Sequence, residues 1–291
     1  MSKTLFEAVP DQSGRRFVVT GANSGLGEAT TRALVSAGAE VVMACRSVER
    51  GQAVANELGS RATVKRLDLA DLSSIRSFAD STTTFDVLIN NAGVMAVPYR
   101  LTADGFEMQI GTNHLGHFAL TGLLLNRVTD RVVTVSSVAH RMASVDVEDL
   151  NWQRRRYSRW RAYGQSKLAN LLFTYELQRK LTGANSTVRA LAAHPGYAAT
   201  GLQGHTESFL DSVMNFGNSL VAQSSTQGAL PQLRAATDPT VIGGQFFGPD
   251  GLMQTRGRPK VVESNSRSHD EVLATLLWAR SELLTGVTFE L

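Results

Sequence analysis

Two side chains four positions apart have types and spacing suited to proton transfer. Tyr163 and Lys167 lie in AYGQSKLANLLFTYELQRKL, whose apolar spacing favours a helix, so both are expected on one helical face. An unperturbed tyrosine titrates near pH ~10 and a lysine near ~10.4, and a neighbouring ammonium favours the phenolate. The pair therefore predicts acid/base chemistry. The same spacing in isolation is also typical of a solvated helix face.

A second motif, TGANSGLG, spans Thr20 to Gly27, directly after the apolar run RFVV and before a helix-like stretch. Gly21 and Gly25 allow a sharp turn that brings the backbone close to a phosphate, and Gly27 allows tight packing of the helix on the strand. The helix N-terminus adds unpaired N–H groups and a positive dipole end. The motif predicts a site for a dinucleotide pyrophosphate, although its spacing, TGxxxGxG, differs from GxGxxG.

A third group is the string RVVTVSS, from Arg131 to Ser137, which is typical of a buried strand ending in two hydroxyls. A hydroxyl at a strand end is well placed to face a substrate oxygen, and Ser137 is the better candidate because it comes last. Either Ser136 or Ser137 could instead satisfy backbone groups. No GxSxG string surrounds them, so a hydrolase triad is not predicted.

Together with NNAG, from Asn90 to Gly93, and Asn113 in NHLGHF, these motifs resemble the short-chain dehydrogenase/reductase family, in order and over nearly the whole chain. Longer strings are similar to the branch that contains the retinol dehydrogenases and protochlorophyllide reductase. They are ACRS, RLDLADLSSIRSF, TNHLGHFALT, VSSVAH and SKLANLLF.

The resemblance implies reversible hydride transfer between a nicotinamide and a carbonyl or alcohol carbon of a small, apolar substrate. Tyr163 would be the acid in reduction and the base in oxidation, and Lys167 would lower the pKa of Tyr163 and bind the nicotinamide ribose. Ser137 would hold the substrate oxygen, and Asn113 would position a water. Two alternatives remain at this stage, a carbon–carbon double-bond reductase and a non-catalytic NADP(H)-binding regulatory protein.

The cofactor preference is predicted from the end of the second strand, Cys45-Arg46-Ser47. A carboxylate there would hold the ribose 2′-hydroxyl of NAD, whereas an arginine accommodates a 2′-phosphate. Arg46 offers several donors in a fixed fork, so NADP(H) is predicted over NAD(H), with Ser47 and Arg50 assisting. The other cofactor contacts implied by the resemblance are Gly21, Asn23, Ser24, Gly25, Leu26, Gly27, Asp68, Leu69, Asn90, Asn91, Ala92, Gly93, Tyr163, Lys167, Pro195, Gly196 and Thr200.

Strand and helix patterns alternate along the chain, which implies right-handed βαβ units. We therefore predict an α/β fold: a Rossmann-type, doubly wound parallel sheet of about seven strands with helices on both faces, in a single domain over 1–291. Within it, 202–222 and 249–291 are expected to be variable regions on the substrate side. The predicted strands are Phe17–Thr20, Glu40–Cys45, Thr63–Leu67, Val87–Asn90, Arg131–Ser136, Val188–Ala193 and Gly243–Phe247, with a final helix from about Asp270.

Composition limits the class of protein. The chain has 291 residues, 43% of them hydrophobic, and a formal net charge of only +3, so nucleic-acid binding is not suggested. A single cysteine excludes an internal disulfide and a multi-cysteine metal site. No run of about 18 apolar residues appears, so we expect a cytoplasmic protein without stable membrane insertion. A homo-oligomer is possible.

Several features allow more than one interpretation. His114 and His117 lack the partners of a metal site, so no metal is predicted, and His194 is expected to be structural or close to the cofactor. The basic stretch 154–161 is either a solvated loop at the rim of the site or a surface for an acidic substrate or an anionic membrane. The apolar residues in 202–222 are either a mobile lid or helix packing.

Overall fold

A computed structural model describes residues 9–196 and 224–291 of the chain. Within these residues, eight strands form one sheet in the order β3-β2-β1-β4-β5-β6-β7-β8. Strands β1 to β7 pair in parallel, and β8 pairs antiparallel with β7. The strands are β1 Arg16–Thr20, β2 Glu40–Cys45, β3 Ala62–Arg66, β4 Phe85–Asn90, β5 Val128–Val135, β6 Arg189–Ala193, β7 Phe246–Pro249 and β8 Pro259–Val261.

Helices follow most of the strands, as crossover connections between parallel strands require. They are α1 Gly25–Ser36, α2 Val48–Leu58, α3 Leu72–Asp80, α4 Met108–Ile110, α5 Gly116–Leu124, α6 Arg159–Gly183, α7 Ser225–Gly228, α8 Leu230–Thr237 and α9 Glu271–Thr285. A π-helical turn, Gly111–Leu115, joins α4 to α5. Short 3₁₀ turns span Gly59–Arg61, Leu125–Arg127, Val138–Met142, Leu252–Gln254 and Ser266–His269.

Both faces of the sheet are buried beneath helices. Successive side chains of each strand point to opposite sides, so each strand contributes to the core on both faces. In β1, Phe17 and Val19 belong to one apolar cluster and Val18 to the other, and all three side chains are fully buried. The first cluster includes residues of α1, α2 and α8. The second includes residues of α3, α5, α6 and α9. The predicted doubly wound architecture is confirmed.

Strand number and some boundaries differ from the prediction. The structure adds a strand to the seven predicted ones, since β8 lies after Pro249 and pairs antiparallel with β7. The last predicted strand, Gly243–Phe247, is displaced to Phe246–Pro249, and β5 ends at Val135 instead of Ser136. The final helix begins at Glu271, after Asp270 caps its N-terminus by accepting a hydrogen bond from the Leu273 N–H at 2.9 Å.

The strand order places a crevice between β1 and β4. After β3 the chain crosses back over β1 and adds β4, β5 and β6 on the other side. In open α/β sheets, ligands bind at the carboxyl ends of the strands beside such a reversal of order. The loops after β1, β4 and β5 therefore meet where a site is expected.

Candidate active site

The glycine-rich turn between β1 and α1 has the backbone that its sequence requires. Gly21 and Gly25 have φ values of +64° and +54°, a region that favours glycine. Ser24 is the N-cap of α1, yet its side chain makes no capping hydrogen bond. The first N–H groups of α1 are thus free of a side-chain cap at the carboxyl edge of the sheet, which fits the pyrophosphate of a dinucleotide.

Gly27 is required by close packing. A Cβ atom added to it would lie 2.2 Å from the Gly21 carbonyl oxygen and 2.6 Å from Nδ2 of Asn91. We expect Gly27→Ala to lower the free energy of unfolding by about 1–3 kcal/mol, as overpacking usually does, and to weaken NADPH binding by displacing the turn. Urea denaturation and NADPH titration measure the two effects.

The matched control is Gly183→Ala, since a Cβ atom there meets open space at the end of α6. It should leave stability unchanged or raise it by up to about 1 kcal/mol, with normal cofactor binding. Equal behaviour of the two variants would contradict the packing argument for Gly27.

The lone cysteine lies beneath the glycine-rich turn. Burial raises the pKa of the Cys45 thiol to about 11, and the backbone N–H groups of Ala22 and Asn23 in the turn oppose that rise. Cys45 is therefore a neutral thiol that supports the turn. No local pattern in the sequence indicates this role, because the contact depends on the pairing of β1 with β2.

Arg46 directly follows Cys45, the last residue of β2, and is exposed. In the described part of the chain its guanidinium forms no hydrogen bond or ion pair. Ser47 caps α2 by accepting the Arg50 N–H at 3.4 Å. No carboxylate stands directly after β2, so the local charge suits a phosphate.

The NNAG string begins with the last residue of β4, and its two asparagine side chains have different surroundings. Asn90 is fully buried and donates to the Thr121 hydroxyl at 2.9 Å, so its side chain belongs to the core between β4 and α5. Asn91 instead donates from Nδ2 to the Thr20 carbonyl oxygen at 2.8 Å. The N–H groups of Asn91 and Ala92 both donate to the Thr20 hydroxyl at 2.9 Å, which ties this loop to the glycine-rich turn.

The remaining predicted cofactor residues lie after β3 and β6. Asp68 accepts the Ala70 N–H at 3.0 Å, and Leu69 is buried. After β6, Pro195 precedes Gly196, whose φ is +70° and whose N–H donates to Nδ1 of His194 at 3.1 Å.

Burial lowers the pKa of His194 to about 3, and its Nε2 pairs with Gln254 at 3.1 Å, as suits a structural residue. Thr200 and the stretch 202–222 lie outside the described residues.

Tyr163 and Lys167 share one face of α6, with Nζ of Lys167 5.8 Å from the centre of the Tyr163 ring. Nζ donates to the Val135 carbonyl oxygen at 3.1 Å. The expected lowering of the tyrosine pKa by the ammonium is not found. Burial raises the pKa of Tyr163, opposed by a hydrogen bond from Ser137, and burial also lowers the pKa of Lys167 to about 8.

The structure separates the two serines that follow β5. Ser136 is buried and donates to the Lys167 carbonyl oxygen at 2.8 Å. Ser137 does not end the strand as predicted; it caps the 3₁₀ turn Val138–Met142, accepting the Ala139 N–H at 3.2 Å. The Ser137 hydroxyl also acts on the Tyr163 hydroxyl, since it opposes the rise in the pKa of that tyrosine. Only Ser137 therefore has its hydroxyl beside the tyrosine.

Asn113 lies in the π-helical turn, a feature often found at functional sites. Its side chain accepts the Val94 N–H at 2.8 Å and donates to the Val94 carbonyl oxygen and the Ser166 hydroxyl, both at 2.9 Å. A Cβ atom on Gly93 would lie 3.2 Å from Oδ1 of Asn113 and 3.5 Å from Nζ of Lys167. Asn113 and Lys167 thus flank the same glycine.

The basic stretch before α6 is partly anchored and partly exposed. Tyr157 donates to Oε1 of buried Glu107 at 2.9 Å, and the Arg155 guanidinium lies 3.9 Å from the centre of the Trp152 ring. Arg154, Arg156 and Arg161 are exposed. Tyr157 therefore ties the stretch to the segment before Asn113, and the three exposed arginines leave both interpretations of the stretch open.

Comparison with known proteins agrees with this geometry. The sequence profile described as short chain dehydrogenase matches residues 15–210. The chain belongs to the short-chain dehydrogenase family. It is 41% identical to retinol dehydrogenase 13 of Homo sapiens over 94% of this chain and 85% of that protein. It is 40% identical to retinol dehydrogenase 12 of Mus musculus over 95% of this chain and 88% of that protein.

A solved structure of an uncharacterized protein from Mycobacterium Paratuberculosis is 51% identical over 99% of each chain, with a TM-score of 0.87. This short-chain dehydrogenase is thus an oxidoreductase that acts on an alcohol or carbonyl group with a nicotinamide cofactor, in a retinol dehydrogenase-like branch. The two alternatives, a double-bond reductase and a non-catalytic binding protein, are not favoured. Among the helices of 9–196 and 224–291, none is long and apolar enough to cross a membrane.

Proposed function

We propose that the protein is an NADP(H)-dependent dehydrogenase/reductase that interconverts the carbonyl and alcohol forms of an apolar substrate. The contact between the Tyr163 and Ser137 hydroxyls, with Lys167 on the same helical face, carries this proposal. The bound nicotinamide supplies or accepts the hydride. The chain itself supplies orientation and the proton.

In the direction of reduction, the Tyr163 hydroxyl donates its proton to the substrate oxygen, and in oxidation the phenolate takes it back. Ser137 holds the same oxygen by a hydrogen bond. Tyr163 is only 8% exposed, so water competes little for its hydroxyl. Its raised pKa keeps it protonated at neutral pH, the form that reduction needs.

Lys167 and Asn113 would return the proton from solvent. Nζ of Lys167 already uses the Val135 carbonyl oxygen as one acceptor, and its remaining protons can reach the nicotinamide ribose or a water. The Asn113 side chain is held by Val94, so it fixes the loop after β4 beside Lys167. The water-positioning role of Asn113 follows from the family resemblance and is part of this proposal.

An apolar substrate is supported by aromatic and aliphatic surface beside Tyr163. Trp160, one helical turn before Tyr163, lies edge-on to it with ring centres 6.4 Å apart and is 45% exposed. Met142 ends the 3₁₀ turn that Ser137 begins and is 90% exposed. An apolar ligand that covered these side chains would remove their surface from water.

The reaction is tested by NADPH consumption with a panel of apolar aldehydes, ketones and enones, run in parallel with NADH. Products are identified by mass and NMR, so that carbonyl reduction is distinguished from reduction of a carbon–carbon double bond. Carbonyl reduction with NADPH preferred supports the proposal. Saturation of enones without carbonyl turnover would overturn it.

The NADP(H) preference rests on Arg46. We expect Arg46→Asp to raise the Kd for NADPH by about 10- to 100-fold, because charge-assisted hydrogen bonds to the 2′-phosphate are lost and a like charge is added. NADH binding should improve, because a carboxylate can accept from the 2′-hydroxyl. Fluorescence titration with both cofactors measures the change.

Arg61→Asp is the control, since it makes the same change of charge before β3, at the opposite end of the strands. An unchanged ratio of the two Kd values in Arg46→Asp would refute the assignment. The cytoplasmic location and the possible homo-oligomer stay predictions, and fractionation and light scattering test them.

A further inference from the structure

A chain of buried hydrogen bonds connects the turn that carries Asn113 to both cofactor-facing loops. Its centre is His117 in α5, whose side chain is 1% exposed. Nδ1 of His117 lies 3.0 Å from the Asn113 main-chain carbonyl oxygen, and Nε2 lies 2.9 Å from the Thr20 hydroxyl. Thr20 ends β1 and accepts the N–H groups of Asn91 and Ala92.

The direction of each bond follows from the chemistry of the partners. A carbonyl oxygen only accepts, so Nδ1 of His117 carries the proton, and Nε2 is left as an acceptor. The Thr20 hydroxyl then donates to Nε2, while its oxygen accepts the two N–H groups. Burial, and next the nearby Lys167 charge, lower the pKa of His117 to about 4, so the ring is neutral at pH 7 and keeps this acceptor.

We propose that His117 is a positioning residue. Through its two ring nitrogens it holds the Asn113 turn at a fixed position relative to the glycine-rich turn and the loop after β4. The Asn113 carbonyl belongs to the π-helical turn, where the regular i to i−4 bonding is interrupted. His117 supplies a side-chain partner for this carbonyl. The inference rests on the proposed function, since it concerns residues assigned there to proton return and cofactor binding.

His114 provides a matched comparison. It lies one turn earlier in the same helical segment and is also 1% exposed, but its Nε2 pairs with the Ser281 hydroxyl of α9 at 3.0 Å. It therefore faces the C-terminal helix instead of the cofactor side. Both histidines fill buried space, but they differ in their partners: His117 bonds to the Asn113 turn and to Thr20, whereas His114 reaches the site side only through Asn170, which donates to the Val135 carbonyl oxygen. No three His, Cys, Asp or Glu side chains of the described ranges group as metal ligands.

The experiment compares His117→Phe with His114→Phe in the full chain. Each change keeps a ring of similar size and removes its hydrogen bonds. For His117→Phe we expect the NADPH Kd to rise about tenfold and kcat to fall at least about tenfold, the scale of losing buried polar contacts. His114→Phe should lower thermal stability and leave both quantities within about twofold.

A second pair of variants tests the same hydrogen bond at its other partner, Thr20. Thr20→Val keeps the shape and removes the hydroxyl, whereas Thr20→Ser keeps the hydroxyl and should restore near-normal NADPH affinity and kcat. Because His117 and Thr20 act through one bond, the double variant His117→Phe/Thr20→Val should be less impaired than the product of the two single effects.

Equal NADPH Kd and kcat in the two histidine variants, or independent effects of His117 and Thr20, would overturn the positioning role. The NADPH affinities can be read without turnover. A wild-type protein that bound NADPH but reduced no carbonyl compound would count against the proposed reaction, while the affinities of these variants would still decide the role of His117.

Discussion

Tyr163→Phe is expected to lower kcat for carbonyl reduction by at least about 100-fold, the usual contribution of a positioned acid. The ring and its packing against Trp160 are retained, and only the hydroxyl beside Ser137 is lost. On the proposed assignment, cofactor affinity comes mainly from the glycine-rich turn and Arg46, so the NADPH Kd should change little. Steady-state kinetics and NADPH titration of the same preparation measure both quantities.

Tyr175→Phe is the matched control for this variant. Tyr175 lies on the same helix, its pKa is also raised by burial, and its hydroxyl is 2.8 Å from that of Ser264. It makes no contact with Ser137 or Lys167 among the described residues, so its loss should leave kcat unchanged. If Tyr163→Phe kept kcat within about tenfold of the wild type, or if both variants lost activity equally, Tyr163 would not be the proton donor.

Local sequence patterns predicted most of the fold. Alternating apolar runs and helical stretches depend on neighbouring residues, so the parallel sheet and the last helix could be predicted. Strand β8 could not, because it has only three residues and depends on pairing with β7, which ends ten positions before β8 begins. Its Val261 is 44% exposed, so it lacks the apolar signal of an inner strand.

The sequence predicted which residues lie near one another better than it predicted their pKa values. The spacing of Tyr163 and Lys167 predicts a shared helical face, and they share one. Spacing does not report burial, and burial is the largest cause of the pKa shifts of both residues. The expectation of a lowered tyrosine pKa failed because desolvation opposes the charged form.

Supporting contacts were also missed. Thr20 and His117 are 97 positions apart in sequence, and their hydrogen bond exists only once β1 and α5 pack together. Cys45 likewise contacts the glycine-rich turn only through the register of β2 with β1. Such contacts leave no periodic pattern in the sequence, whereas the motifs they support do.

Lys167→Met is expected to remove activity while making the cofactor-free protein more stable at neutral pH. Lys167 is 4% exposed, and burial lowers its pKa from the ordinary 10.5 to about 8. Keeping a buried ammonium therefore costs folding free energy, which a methionine of similar length avoids. The gain in unfolding free energy should reach about 3 kcal/mol at most, the equivalent of the pKa shift.

The lowered pKa of Lys167 determines how the stability difference between the two proteins changes with pH. Below pH 8 the lysine is protonated in both the folded and the unfolded chain, so the full cost is present. Between pH 8 and 10.5 the unfolded chain binds the proton more strongly, so wild-type stability rises with pH relative to Lys167→Met. The difference between the two proteins should therefore be largest below pH 8 and shrink above it, as measured by urea denaturation at several pH values.

Lys180→Met distinguishes loss of a buried charge from a general effect of methionine on α6. Lys180 lies on the same helix with a side chain that is 36% exposed, so its replacement should give no comparable gain. Lower stability of Lys167→Met than of the wild type at pH 7 would show that the hydrogen bond to Val135 outweighs the burial of the charge. A gain in stability joined to lost turnover would instead mean that the chain keeps a destabilising cation where the reaction needs it.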